Sequence, residues 1–298
     1  MPIYHLLLVL LVIVAWGCNF IFVKFSLDEV SPLLLCAVRF FLASVPAIFF
    51  IKPPAAPFKL IALYGLLMFG LQFLLLFIGM TQGIAPGLTS ILMQTQVFFS
   101  IFFAAVFLRE IPGLWQIFGA LISFCGIGLV ALHLDTTASF SGFILIVAAA
   151  ASWGLGNLVT KKMGRINMMA LVVWGSFVAC IPFVVLSLIL EGSAQVFSNL
   201  QHLSMKGGIS ILYIVYASTW IGYGVWNWLI ARYTVATIAP FSLLIPVIAM
   251  FSSVLVLNEP FQLWKLFSGL LVITGLFVNF LGPRIFVRRR LKADDGAY

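Results

Sequence analysis

An arginine inside an apolar segment has the most distinctive chemistry in this chain. Arg39 lies about eight residues into a stretch rich in leucine and phenylalanine, roughly 12 Å along a helix at 1.5 Å per residue. An arginine at the centre of a bilayer costs at least ~2.5 kcal/mol and usually faces a cavity or a partner. Such a guanidinium can hold the carboxylate of a substrate. Snorkelling to the headgroups, or bonding to backbone carbonyls, is the structural alternative, and the sequence leaves both open.

Amide and aromatic side chains in apolar segments form a second set of candidates. Uncharged polar groups in a membrane seek partners within the helix bundle, so each amide fits either a bond between helices or a contact with substrate. Trp16 and Trp153 could attract an ammonium group through their rings, or they could accompany close packing at the glycines that follow them. Gln94 and Gln96 point to different faces of one helix, which predicts that only one reaches a cavity. The candidate substrate-binding residues are Trp16, Asn19, Arg39, Gln94, Gln96, Trp153, Asn157, Tyr223 and Trp226.

Prolines, acids and lysines form a third set, with gating or structural roles. Proline within a helix frees backbone carbonyls and can bend the chain. Glu110 and Glu259 precede turns that contain proline, where a carboxylate complements the positive N-terminus of the next helix; coupling or gating is the alternative. The full set is Pro46, Pro182, Pro246, Glu110, Glu259, Lys24 and Lys161.

The positions of the remaining reactive residues exclude several classes of function. The eight acids and three histidines lie in loops, tails or helix ends, and no two cysteines have metal-ligand spacing. We therefore expect no metal, no cofactor and no enzymatic activity, because a membrane enzyme needs clustered catalytic groups. Proton antiporters usually keep a carboxylate at mid-membrane. Its absence from the sequence pattern favours a facilitator, or an exporter driven by the gradient of its own solute.

The composition predicts an all-α polytopic membrane protein. The chain has 298 residues, of which 63% are hydrophobic and 8% charged, whereas soluble domains carry roughly 25% charged residues. The net charge of +8 does not indicate nucleic-acid binding, because the basic residues lie in short loops and at the C-terminus. The expected partners are the lipid bilayer and a small-molecule substrate, and we expect a monomer.

Ten stretches are long and apolar enough to cross a bilayer as helices. They cover about 3–27, 32–51, 59–80, 87–108, 113–132, 142–160, 168–190, 209–231, 236–257 and 263–284. With the N-terminus in the cytoplasm, twelve of the sixteen Lys and Arg residues fall on the inner side and three on the outer. This asymmetry predicts that both termini are cytoplasmic.

The sequence also contains a duplication. Ala15-Trp16-Gly17 is followed by Lys24, and Ser152-Trp153-Gly154 is followed by Lys161 at the same spacing. Glu110 and Glu259 each precede a Trp, a Phe and a Gly at matching distances. Two halves of five helices must run in opposite senses, which predicts a 5+5 inverted repeat. The predicted units are 1–135 and 138–287, followed by a basic cytoplasmic tail at 288–298.

This pattern resembles the EamA-type branch of the drug/metabolite transporter superfamily over essentially the whole chain. The resemblance rests on the two Trp-Gly segments, the two Glu positions and several strings: Trp16-Gly17-Cys18-Asn19-Phe20, Arg39-Phe40, Gln94-Thr95-Gln96, Gly156-Asn157, Gly222-Tyr223-Gly224 and Ser242-Leu243-Leu244-Ile245-Pro246-Val247. It implies export of amino acids or related small metabolites, such as cysteine or O-acetylserine, across the bacterial inner membrane. The substrate would bind in a central cavity between the halves and move by alternating access.

Other functions stay open at this point. The chain could carry other small metabolites or drugs, such as nucleosides or cationic compounds, as a facilitator or exporter. A channel-like membrane protein is the further alternative, although the sequence shows no ring of pore-lining charges.

Overall fold

A computed structural model describes residues 1–84, 86–132 and 139–257, together with scattered residues between 263 and 282. Several predicted features lie outside the described residues. These are Glu259, the basic tail at 288–298 and most of the predicted tenth helix.

The described chain is helical, and nine of the predicted apolar segments coincide with helices in it. Their bounds are α1 Ile3–Leu27, α2 Pro32–Ser44, α3 Phe58–Thr81, α4 Thr89–Leu108, α5 Leu114–Ala131, α6 Phe140–Met163, α7 Met168–Leu190, α8 Met205–Arg232 and α9 Val235–Val256. Eight apolar segments of the described chain are long enough to cross a membrane. Helix α2 reaches that length together with the 3₁₀ turn that follows it, as Pro32–Phe49. Helix α5 is not among the eight, because its described apolar part, Leu114–Gly126, is shorter. A short helix, Ser193–Gln201, connects α7 to α8.

Four of these helices change their hydrogen-bonding pattern near mid-length. Helix α3 is a π-helix over Gly65–Leu71, and α8 is one over Ile214–Tyr223. Helix α4 contains a 3₁₀ turn at Met93–Thr95, and α9 contains one at Ala239–Leu244. Such departures from α-helix often mark functional positions, because they turn side chains and backbone groups in new directions.

Glycines let the two Trp-Gly helices approach their neighbours closely. A Cβ atom on Gly17 of α1 would lie 2.5 Å from the side chain of Ile248 on α9. A Cβ atom on Gly154 of α6 would lie 3.0 Å from the backbone of Ser100 on α4. Both Trp-Gly pairs therefore place a glycine at a close helix contact, as small residues do in membrane bundles.

The two matched lysines lie at opposite ends of the bundle. His5, near the start of α1, contacts the hydroxyl of Tyr233. The carbonyl of Tyr233 accepts a hydrogen bond of 2.6 Å from Lys161 at the end of α6. Lys24 lies in the last turn of α1, roughly 28 Å along the helix from His5 at 1.5 Å per residue. We call these the Lys161 end and the Lys24 end.

The prolines differ from one another in their effect on the helices. Helix α2 ends at Ser44, so Pro46 lies beyond it and precedes the turn Ala47–Phe49. Pro246 comes directly after the residue at which the 3₁₀ turn of α9 gives way to α-helix. Helix α7 runs continuously through Pro182, so this proline does not end the helix. The neighbouring residues keep helical geometry although the proline lacks an N–H.

Candidate functional site

A small cavity lies at the centre of the bundle, where α1, α3, α4, α6, α8 and α9 meet. Its polar wall is formed by Trp16, Asn19, Gln72, Gln94, Trp153 and Tyr223. Apolar side chains, including Val23 and Met80, continue the wall toward the Lys24 end. The free volume is about 40 Å³, enough for a few waters at ~10–15 Å³ each. A metabolite can enter only after these walls separate.

An aromatic cluster closes the cavity toward the Lys161 end. The ring of Trp16 lies 5.2 Å from Trp153, 4.9 Å from Tyr223 and 5.2 Å from Trp226, measured between centroids. The indole N–H of Trp16 donates to the carbonyl of Ser218, in the π-helix of α8, at 3.0 Å. The cluster therefore joins α1, α6 and α8 across the middle of the protein.

A hydrogen-bond network holds Trp226 of this cluster. Trp226 Nε1 donates to Asn157 Oδ1 at 3.0 Å, and Asn157 Nδ2 donates to Ser100 Oγ at 2.9 Å. Gln96 accepts from Ser100 at 3.1 Å and donates to Ser242 Oγ at 2.6 Å. Three candidates for substrate binding, Gln96, Asn157 and Trp226, thus lie in this network and not on the cavity wall.

The two glutamines of α4 point in different directions. Gln94 lines the cavity, and its amide N–H donates to the carbonyl of Ser90 at 3.0 Å. Gln96 lies in the network with Asn157. Both side chains lie within the bundle but on separate faces, as the spacing predicts. The 3₁₀ turn Met93–Thr95 includes Gln94 and ends directly before Gln96.

Arg39 is fully buried on α2 beside the cavity, and it does not belong to the wall. Its Nε donates to Thr219 Oγ1 at 2.9 Å, and Thr219 donates to the carbonyl of Ile214 at 2.8 Å. The guanidinium carbon lies 4.0 Å from the ring centroid of Phe73, which does line the cavity. Neither terminal nitrogen of Arg39 has a hydrogen-bond partner among the described residues. The π-helix of α8 thus holds a cation whose outer nitrogens remain available.

An ion pair closes the Lys161 end. Lys161 Nζ lies 3.2 Å from Glu110 Oε1, and the two side chains are 19% and 20% exposed. Glu110 Oε2 also accepts a hydrogen bond of 3.1 Å from the backbone N–H of Val235. The carboxylate therefore contacts the first residue of α9, a helix far from it in sequence. We call this set of contacts the latch.

The Lys24 end has its own polar contacts. Glu29 accepts hydrogen bonds from the hydroxyl and the backbone N–H of Ser204, at 2.6 and 2.7 Å. These bonds lower the pKa of Glu29 below its ordinary value, with the Ser204 hydroxyl as the largest cause. Ser31 donates to Glu191 at 2.5 Å, which joins the α1–α2 turn to the end of α7. Both contacts connect the two halves of the chain.

Gln72 and Phe73 belong to the site and are not among the nine candidates from the sequence. Gln72 lines the cavity and donates to the hydroxyl of Tyr223 at 3.3 Å. Gln72 shares the signal of the other amides, a polar side chain in an apolar segment, which fits either a bond between helices or a contact with substrate. Phe73 gave no such signal, because it is one of 30 phenylalanines.

Comparison with known proteins identifies the family. The sequence pattern of the EamA-like transporter family matches residues 3–132 and 140–281. The chain belongs to the EamA-like transporter family. It is therefore a multi-pass membrane transporter and not an enzyme.

Curated relatives match this transporter over most of their length. It is 37% identical over 284 residues to a probable amino-acid metabolite efflux pump of Escherichia coli (strain K12), covering 93% of this chain and 95% of the relative. It is 36% identical over 285 residues to a protein of the same description from Salmonella typhimurium, with the same two coverages. One protein crystal structure matches with a TM-score of 0.76 at 14% identity, covering 96% of this chain and 99% of the other. That likeness concerns the fold alone.

Proposed function

We propose that this protein exports amino acids or related small metabolites across the bacterial inner membrane by alternating access around the central cavity. The observation that carries the proposal is the cavity itself, which lies where helices from both halves of the chain meet. Its walls combine amides and aromatic rings without a charged side chain among the described lining residues. The names of the two most fully described relatives, both amino-acid metabolite efflux pumps, support the substrate class.

We further propose ten transmembrane helices in a 5+5 inverted repeat, with units at 1–135 and 138–287. Three observations support it. The family pattern matches the chain in two successive ranges. The π-helices occur in α3 and α8, and the 3₁₀ turns in α4 and α9, which are the predicted counterparts. Helix α1 packs on α8 and α9, as α6 packs on α3 and α4.

The distribution of Lys and Arg supports cytoplasmic termini, and so a cytoplasmic Lys161 end. In that orientation the latch and the aromatic cluster close the cytoplasmic side of the cavity.

Gating follows from the size of the cavity and from the contacts at its two ends. The cavity has room for only a few waters, so both the cluster and the wall must move during transport. Opening the cytoplasmic side requires the latch between Glu110 and Lys161 to separate. We assign the symmetric role at the other end to Lys24 and Glu259, from their matched sequence positions.

Arg39 is proposed to bind the carboxylate of the substrate. Its terminal nitrogens have no described partner, and Phe73 contacts both the guanidinium and the cavity. A shift of Phe73 would expose two donors suited to a carboxylate. Trp16 and Trp153 would contribute cation–π attraction to an ammonium group.

Counterflow into proteoliposomes loaded with one solute tests the proposed function. The purified protein is assayed with amino acids, O-acetylserine, cysteine, nucleosides and cationic drugs. Saturable exchange of an amino acid is expected, whereas non-saturable flux would indicate a channel and exchange of nucleosides alone would indicate another substrate class. A protonophore should leave exchange unchanged; dependence on a proton gradient would refute gradient-independent exchange.

A further inference from the structure

Three amide oxygens on the cavity wall have no hydrogen-bond partner among the described residues. They are Asn19 Oδ1, Gln72 Oε1 and Gln94 Oε1. Gln72 and Gln94 are each 1% exposed, and Asn19 is 9% exposed. A buried acceptor without a partner costs about 1–3 kcal/mol. Three such groups around one cavity therefore favour a ligand that supplies donors.

The orientation of the amides follows from their other bonds. The N–H of Gln94 donates to the Ser90 carbonyl, and its oxygen has no described partner. The N–H of Gln72 donates to the Tyr223 hydroxyl, which again leaves the oxygen without a partner. On the same wall the indole N–H of Trp153 is the unpartnered donor. The fully buried polar atoms of the described wall thus include three acceptors and one donor without a partner.

Three acceptors match the number of N–H donors on a primary ammonium group. An –NH₃⁺ group has three donors and no acceptor, and hydrogen bonds to a charged group are stronger than those between neutral groups. The rings of Trp16, Trp153 and Tyr223 also border the cavity, and aromatic faces attract cations. Among these fully buried unpartnered atoms, a carboxylate would meet three oxygen dipoles of like sign and a single donor.

We propose that Asn19, Gln72 and Gln94 form an ammonium subsite and that the primary ammonium is the main feature by which the substrate is recognised. This inference rests on the proposed transport function and names its recognition chemistry. Arg39 lies off the wall, on the far side of Phe73. The carboxylate is therefore a secondary determinant, engaged when Phe73 moves.

Matched analogues of one amino acid separate the two ends of the substrate. Cysteine carries both groups, cysteamine keeps the ammonium and lacks the carboxylate, and 3-mercaptopropionate keeps the carboxylate and lacks the ammonium. Binding is followed by the fluorescence of the cavity tryptophans in the purified protein, under reducing conditions. Cysteamine should bind within about tenfold of cysteine, and 3-mercaptopropionate should bind at least tenfold more weakly than cysteamine.

Variants of the wall test the assignment to these residues. Gln94→Met and Asn19→Leu keep the approximate side-chain size and remove an acceptor, and each should weaken cysteamine binding about tenfold or more. Asn19→Asp keeps acceptor oxygens at the same place and should retain cysteamine binding even if Asn19→Leu folds poorly. Gln195→Met, on the exposed helix between α7 and α8, is the matched control and should leave binding unchanged.

The outcomes distinguish the subsite from the transport function. If 3-mercaptopropionate binds as tightly as cysteamine, or if folded Gln94→Met and Asn19→Leu bind cysteamine normally, the ammonium subsite is refuted. Saturable counterflow of amino acids would then still stand on its own. If no amino acid exchanges in proteoliposomes although the amine binds, the proposed function fails and the subsite remains.

Discussion

Removing the charge of Glu110 should open the Lys161 end of the transporter. The carboxylate joins three separate parts of the chain: its own position after α4, Lys161 at the end of α6 and Val235 at the start of α9. Glu110→Gln keeps an oxygen for the Val235 N–H and removes the ion pair. The variant therefore isolates the electrostatic part of the latch.

The magnitude follows from the geometry of the pair. Two unit charges at 3.2 Å attract by ~5 kcal/mol at an effective dielectric of 20. Desolvation and solvent screening of side chains that are about one-fifth exposed offset most of this, since exposed pairs contribute about 0–1 kcal/mol. We expect a net loss of about 1–2 kcal/mol, which shifts the balance between closed and open states roughly 5- to 30-fold.

Thiol labelling measures this shift. Thr160→Cys places a thiol at a fully buried position beside Lys161, in a background from which Cys18, Cys36, Cys125 and Cys180 have been removed. Adding Glu110→Gln should raise the labelling rate by that 5- to 30-fold factor. Glu191→Gln, which alters a contact at the Lys24 end, is the control and should not raise it. An unchanged rate in folded Glu110→Gln protein would refute the latch.

Three other substitutions have defined outcomes. Arg39→Gln should weaken cysteine binding about tenfold while cysteamine binding stays unchanged; intact cysteine transport and folding would exclude the carboxylate role. Asn157→Leu removes the acceptor of Trp226 Nε1 and should cost about 1–2 kcal/mol, measured by thermal unfolding in detergent. The lowered pKa of Glu29 means that its contribution is present above the ordinary carboxyl pKa and is lost as pH falls through the lowered value. Glu29→Gln should therefore flatten the acid limb of a melting-temperature profile.

The membrane segments could be read from the sequence because the bilayer imposes one requirement on every span. About 20 consecutive apolar residues are needed, and each must satisfy its backbone bonds within the helix. Helices α1 and α7 accordingly match their predicted bounds of 3–27 and 168–190. Helix α7 continues through Pro182, although proline lacks the N–H that an interior position of a helix uses.

The candidate site was predicted in part, and the reason lies in the partners of each side chain. Asn19 and Asn157 are amides that lie three and four residues after the Trp of a Trp-Gly pair, and both fit the same two roles in the sequence. In the fold, Asn157 bonds to Trp226 and Ser100, whereas Asn19 lines the cavity and its oxygen has no described partner. Residues that are distant in sequence decide which amide is free.

The sequence by itself determined the class of protein, the helical segments and the duplicated Trp-Gly pattern, because hydropathy and spacing are properties of the chain alone. The tertiary structure decided the location of Glu110 at α9, the position of Arg39 behind Phe73 and the presence of Gln72 on the cavity wall. These are contacts between helices separated by many residues. Their geometry depends on how the helices cross, and the π-helices and 3₁₀ turns near mid-length change which side chains meet there.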